Sequence, residues 1–209
     1  MILEYLQNIL EYLQNNWLEV TGAILSLVYL FFSIRANSIL WIFGFISSAL
    51  YVAVFFNAKL YAEMSLYSYY LFVSVYGWIN WHKKSEESNH ELSITRIVGA
   101  KQIFQYIFAT IAIYITYYLV LEYLTDSPIA LADSVVGALS IIATWMLAKK
   151  KIENWLVWIV VDAFAAGLYF SKELYPTAIL FVIYTIMAVV GYRQWKRSES
   201  PLNPPQGDF

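Results

Sequence analysis

Asp162 lies nine residues beyond Glu153 and ten short of Lys172, with only uncharged residues between. On a helix rising about 1.5 Å per residue, that is ~14 Å from either charged neighbour, the middle of a bilayer if the segment crosses one. A carboxylate at that depth costs at least ~2.5 kcal/mol, so it requires a partner or a role. No Lys or Arg falls within any other long apolar stretch. A polar network, a proton or a cationic ligand is left to neutralise the acid. Trp155, Trp158 and Asp162 are spaced i, i+3, i+7 and share one helix face. Two indoles leading to an acid make a seat for a flat organic cation, which the rings stack against and the carboxylate balances. Asn154 adds a donor and an acceptor at the edge of that face. Two plainer readings stand beside this one. Asp162 could bond neighbouring hydroxyls, and Trp155, next to Lys149, Lys150 and Lys151, could be an interfacial anchor.

The surrounding chain dictates where this face can sit. Of 209 residues, 60% are hydrophobic and 13% charged, about half the charge of a soluble domain. Seven stretches have the ~20-residue apolar length of a membrane span, some marginally: Trp17–Ile34, Ser38–Phe56, Leu60–Trp81, Gln102–Leu124, Ser134–Ala148, Asn154–Phe170 and Leu174–Tyr192. With the N-terminus outside, eleven of the thirteen Lys and Arg fall on the inner side, leaving only Lys59 and Lys172 outside. The positive-inside rule then predicts N-outside, C-cytoplasmic. Residues 1–16 hold an exact heptad duplication, ILEYLQN, whose apolar face predicts an interfacial amphipathic helix. Residues 198–209, with three of the five prolines, read as a disordered tail.

A shift of 114 residues superposes the two ends of the chain. Trp41 meets Trp155, Tyr70 meets Tyr184, Gly77 meets Gly191 and Trp81 meets Trp195, while Gly22 and Gly137 fit with a one-residue slip. The predicted fold is therefore an all-α integral membrane protein of seven helices, 3+1+3. Three-helix repeats at 17–81 and 131–197 are joined by a cytoplasmic loop at 82–101 and a linker helix at 102–124. Three is odd and the linker restores direction, so the repeats run parallel, as in the SWEET transporters. A substrate site between the repeats near the midplane follows. Ser48 and Gly44 stand where Asp162 and Trp158 stand in the second repeat, a divergence suited to one asymmetric ligand. Trp41, Ser48, Tyr70 and Tyr184 join the candidate binding residues, as do Trp78 and Asn80 near the end of the third helix. Trp81 and Trp195 read as belt anchors.

Other chemistries are excluded or unsupported. The chain has no Cys, which removes disulfides, thiolate metal sites and cysteine nucleophiles. Both histidines, His82 and His90, fall in one polar loop, so a metal cage is not expected. A net charge of −2 without a basic stripe argues against nucleic acid. The acidic start lacks the positive region of a cleavable signal. A retinal protein needs a Lys in the seventh span, and none lies between Lys172 and Lys196. No HExxH, GxSxG or Walker A motif points to an enzyme, and no cofactor is expected. A substrate-binding membrane subunit of an ATP-driven importer remains a rival to a self-sufficient transporter.

WIFGFISSALYVAVFFNAKLYAEM, YGWINW, ENWLVWIVVD and GYRQWKR resemble the PnuC family of vitamin transporters over nearly the whole chain. The Trp155, Trp158, Asp162 element looks like that family's WxxWxxx(N/D) motif. The resemblance implies a bacterial inner-membrane protein that takes up an unphosphorylated B-vitamin by facilitated diffusion. Cytoplasmic phosphorylation then traps the vitamin. It also implies a homotrimer. Nicotinamide riboside members often carry Pro-Met-Gln before the Gly-Trp of the third helix, where this chain has Phe72-Val73-Ser74-Val75-Tyr76. That stretch looks more like the thiamine branch, PnuT. Thiamine is therefore the expected substrate and nicotinamide riboside the alternative; both are flat aromatic cations.

Overall fold

The computed structural model describes residues 17–57, 61–83, 93–125, 129–173 and 175–199. The expected interfacial helix at 1–16 and the tail from 200 onward lie outside these residues. Seven helices are described: α1 (Trp17–Ile34), α2 (Leu40–Asn57), α3 (Tyr61–His82), α4 (Ala100–Leu124), α5 (Ala130–Ala148), α6 (Asn154–Ser171) and α7 (Tyr175–Ser198). Five segments, α2, α4, α5, α6 and Thr177–Ser198 of α7, are long and apolar enough to cross a membrane. The described apolar part of α1 is shorter, Ile24–Ile34. Five tyrosines make α3 less apolar despite its 22 residues. Hydropathy undershoots two helices: α5 starts at Ala130 rather than Ser134, and α7 continues to Ser198. Hydroxyls inside the helices bond the carbonyl one turn back, as Thr110 does to Tyr106 and Thr185 to Phe181, both at 2.8 Å. That satisfies a group for which lipid offers no partner.

The 114-residue correspondence reaches the backbone. Leaving α1, Ala36 is left-handed (φ 51°), and leaving α5 so is Lys150 (φ 49°). Each closes the same pair of bonds on its helix. Ala36 N–H and Asn37 N–H donate to the Ser33 and Phe32 carbonyls, while Lys150 N–H and Lys151 N–H donate to those of Leu147 and Met146. This is the Schellman arrangement, here with a left-handed non-glycine residue. A left-handed residue with a Cβ is unfavourable by about 1–2 kcal/mol, so its presence at both equivalent turns shows that they are constrained alike.

Packing repeats the pattern. Helix α2 lies along α3 and α1, and α6 lies along α7 and α5; α3 meets α5, α1 meets α7, and α4 rests on α5. A Cβ on Gly77 would lie 2.4 Å from the Trp41 ring, and one on Gly191 would lie 2.6 Å from the Trp155 ring. Glycine lets each indole press onto the neighbouring helix backbone.

Four tryptophans form the core at the end of the bundle that carries Arg35 and Lys149–Lys151. Trp41 meets Trp81 edge-on at 5.5 Å, Trp155 meets Trp195 edge-on at 5.7 Å, and Trp81 and Trp195 join the pairs at 6.2 Å. All four are at most 2% exposed. This corrects the expectation that Trp81 and Trp195 anchor in the lipid interface. Trp81 Nε1 donates to the Ala148 carbonyl at 3.1 Å and Trp195 Nε1 to the Ser33 carbonyl at 3.0 Å. The acceptors sit in the last turns of α5 and α1, where carbonyls lose their partners in the helix ladder. Sequence depth alone cannot separate an indole facing headgroups from one rotated inward.

Part of the 82–101 loop is laid across the α5–α6 link. Thr95 N–H donates to the Lys150 carbonyl and Ile152 N–H to the Thr95 carbonyl, both at 3.0 Å. Glu153 Oε1 accepts from Ile97 N–H, and Lys151 Nζ donates to the Arg96 carbonyl, again at 3.0 Å. Arg96 Nε reaches Glu199 Oε1 at 2.6 Å. That pairing holds the Arg96 guanidinium above its ordinary pKa. Ser198 and Glu199, expected to begin the tail, are thus a helix end and a held side chain.

Candidate functional site

Two cavities lie between the helices, and their linings correspond through the 114-residue shift. One, of about 240 Å³, is bordered by Trp41, Gly44 and Ser48 of α2 and by Tyr70 and Ser74 of α3. The other, of about 170 Å³, is bordered by Trp155, Trp158 and Asp162 of α6 and by Tyr184 and Ala188 of α7. Position for position, Gly44 faces the place of Trp158, Ser48 that of Asp162, and Ser74 that of Ala188. Ser26, Tyr29 and Trp158 line both cavities, so the two halves meet at this junction.

The halves differ in chemistry. The α2–α3 half adds Ser47, Tyr67 and Thr144, so hydroxyls dominate it and, among the described residues, none with a formal charge lines it. Ser74 and Thr144 donate their protons to the Tyr70 and Ser140 carbonyls, each at 2.8 Å. Their oxygens retain lone pairs that can accept from a ligand. The α6–α7 half is mostly apolar, with Leu30, Leu147 and Ala188 in its wall and Asp162 the one formally charged residue among the described residues that line it. Asp162 is 6% exposed. Among the described residues its carboxylate makes no hydrogen bond or ion pair. A buried carboxylate facing a cavity without a basic partner suits a cation, and Trp158 one turn away offers it a π face.

Of the residues singled out from sequence, Trp155, Trp158, Asp162 and Tyr184 line one half, and Trp41, Ser48 and Tyr70 the other. Three do not line either. Asn154 is fully buried at the start of α6, with Nδ2 on the Lys151 carbonyl at 2.6 Å. Asn80 Nδ2 donates to the Ala148 carbonyl at 3.0 Å beside Trp81. Trp78 is 37% exposed, lies 4.3 Å from the His82 ring and borders a shallow apolar groove on the outside of α2 and α3. For these three the register along the helix was right for a cavity, but the rotation was not.

Sequence reasoning missed Ser26 and Tyr29 of α1, Ser47 of α2, Tyr67 and Ser74 of α3, and Thr144 of α5. For Ser74 a signal was available: it lies four residues beyond Tyr70, on the same face of the helix. Among the described residues no cluster of His, Asp or Glu could hold a metal ion.

A family model described as "Nicotinamide mononucleotide transporter" matches residues 16–197. The chain is 25% identical over 206 residues to the nicotinamide riboside transporter PnuC of Escherichia coli (strain K12), covering 88% of this chain and 86% of that one. It is 26% identical over 194 residues to the protein of the same name from Neisseria mucosa, covering 88% and 73%. With the riboflavin/roseoflavin transporter RibM of Streptomyces davaonensis it shares 22% identity over 180 residues, 86% and 84% of the two chains. The fold matches the crystal structure of the vitamin B3 transporter PnuC with a TM-score of 0.70, at 24% identity, over 94% of this chain and 88% of that one.

Proposed function

The chain belongs to the nicotinamide mononucleotide transporter family, the PnuC vitamin transporters, and from that premise we propose that it takes up an unphosphorylated, cationic aromatic B-vitamin by facilitated diffusion. The observation that carries the proposal is Asp162, buried, facing the cavity and unpaired among the described residues, one turn from Trp158. Leaving that carboxylate charged at midplane is costly, and a bound pyridinium or thiazolium offsets the cost by balancing it. The ring stacks on Trp158 and the remainder of the ligand lies in the hydroxyl-lined half.

Nicotinamide riboside fits this division well, with a charged ring for Asp162 and ribosyl hydroxyls for acceptors such as Ser74 and Thr144. Thiamine is the second reading, favoured by Phe72–Tyr76, which lacks the Gln expected of a nicotinamide riboside member. The positive charges at the α5–α6 link and in the last turns of α7 support a cytoplasmic placement of that end, where phosphorylation traps the vitamin.

Titrating nicotinamide riboside, thiamine and riboflavin into detergent-purified protein decides among the vitamins. Riboflavin binding without either cation removes the role given to Asp162. Protein alone in liposomes should equilibrate the bound vitamin without ATP or an ion gradient. Accumulation above the outside concentration under a proton gradient would instead make Asp162 a proton carrier.

A further inference from the structure

We propose that Gly44 is the specificity-determining position of the cavity: its missing side chain keeps the hydroxyl-lined half open for the uncharged portion of the ligand. The inference rests on the reading of Asp162 and Trp158 as the cation seat, and goes beyond it to the rest of the substrate.

The argument starts from the repeat. Gly44 occupies on α2 the position that Trp158 occupies on α6. An indole at that position in the second half lies at the junction and is shared by both cavities. A glycine at the same position in the first half leaves the larger of the two cavities. Gly44 is helical, inside α2, where glycine costs about 0.5–1 kcal/mol relative to alanine. Its backbone is not in a left-handed conformation, so the turn geometry gives no reason for it. Space does. A Cβ there would lie 3.0 Å from Ser74 Oγ and 3.1 Å from the Tyr29 ring. Both neighbours line the cavity, so even one methyl displaces its wall.

The chemistry of that half then defines what the space accepts. Ser74 and Thr144 have committed their protons to helix carbonyls and act on the cavity side as acceptors. Among the described residues no formally charged side chain lines it. The ligand portion it takes is neutral and rich in hydrogen-bonding groups, with O–H or N–H donors for Ser74 and Thr144: a ribosyl group on a pyridinium, or an aminopyrimidine on a thiazolium. Trp158 and Asp162 set the affinity for the charged ring, whereas Gly44 sets what the ring is allowed to carry.

The test compares a whole vitamin with its bare ring. Nicotinamide riboside is paired with N-methylnicotinamide, and thiamine with an N-methylthiazolium, in titrations of purified wild type and Gly44→Ala. Wild type should bind one whole vitamin more than tenfold better than its ring. Gly44→Ala should shrink that ratio at least tenfold while changing the affinity for the bare ring by less than threefold. An unchanged ratio, or equal loss of whole vitamin and ring, in a variant that unfolds thermally like wild type overturns the assignment. If Gly44→Ala does not fold, Ser48→Val, which fills the same half from the next turn, is judged by the same ratio. Wild type that binds neither whole vitamin overturns the cation-seat reading itself, an outcome distinct from failure of the Gly44 assignment.

Discussion

Trp81 and Trp195 stand 6.2 Å apart, and each donates its indole N–H to the last turn of a helix from the other end of the sequence, Trp81 to Ala148 of α5 and Trp195 to Ser33 of α1. The exchange is reciprocal. Helices α3 and α7 occupy equivalent places in the 114-residue correspondence, and so do α5 and α1. The two indole bonds therefore tie the halves together in opposite senses.

The glycines that admit the outer tryptophans make the first prediction. Gly77→Ala and Gly191→Ala each place a methyl within 2.4–2.6 Å of a rigid indole. Overpacking of this kind costs about 1–3 kcal/mol. Both variants should unfold at lower temperature than wild type in detergent. Unaltered melting of both would mean that the indoles are free to move aside.

Burial sets the second. Trp195 is fully buried and Trp78 is 37% exposed. Trp195→Ala should cost about 3–5 kcal/mol as a large core truncation, and Trp78→Ala no more than about 0.5 kcal/mol. Thermal melts of the two purified variants rank them. Equal stability would return Trp195 to the lipid interface.

The third concerns the cation seat. Asp162→Asn preserves shape and removes charge, so affinity for the vitamin should fall at least tenfold, or ~1.4 kcal/mol. Trp158→Ala should lose ~1–2 kcal/mol of cation–π attraction. Calorimetry measures both. Wild-type affinity in Asp162→Asn would make the residue a structural hydrogen-bonding group and remove charge from the account.

Orientation gives the fourth. Single cysteines introduced at Asn89 and Ser127 of this Cys-free chain should react with impermeant thiol reagents from opposite faces of the membrane. Reaction of both from outside would refute an arrangement in which α4 crosses between them.

The helix positions and the internal correspondence were legible because hydropathy and duplicated Trp, Gly and Tyr survive in the linear sequence. Asp162 was legible because it is the one charged residue between Glu153 and Lys172. What the sequence hid was rotation about each helix axis. Asn80 and Trp81 differ from Trp78 by less than one turn, yet the first two bond α5 and the third faces outward. The contribution of α1 was hidden for another reason. Ser26 and Tyr29 belong to a class of hydroxyl residues scattered through all the helices, and many of these, such as Thr116 on Ala112, simply bond their own backbone. Only the position of α1 against α7 and α2 tells which ones face the cavity.

The four packed indoles also bear on electrical leakage. On the proposed reading the chain passes a cation across an energised bilayer, in a field worth ~2.3 kcal/mol per charge for every 100 mV. It must carry its cargo without opening a wire for protons. Proton hopping needs groups that both give and receive, and an indole N–H only gives. Trp81 and Trp195 have already committed theirs to backbone carbonyls. Trp41 and Trp155, which border the cavities on this side, are at most 2% exposed. At the lysine-rich end of the bundle the membrane voltage thus meets four packed rings that, by themselves, give protons and take none.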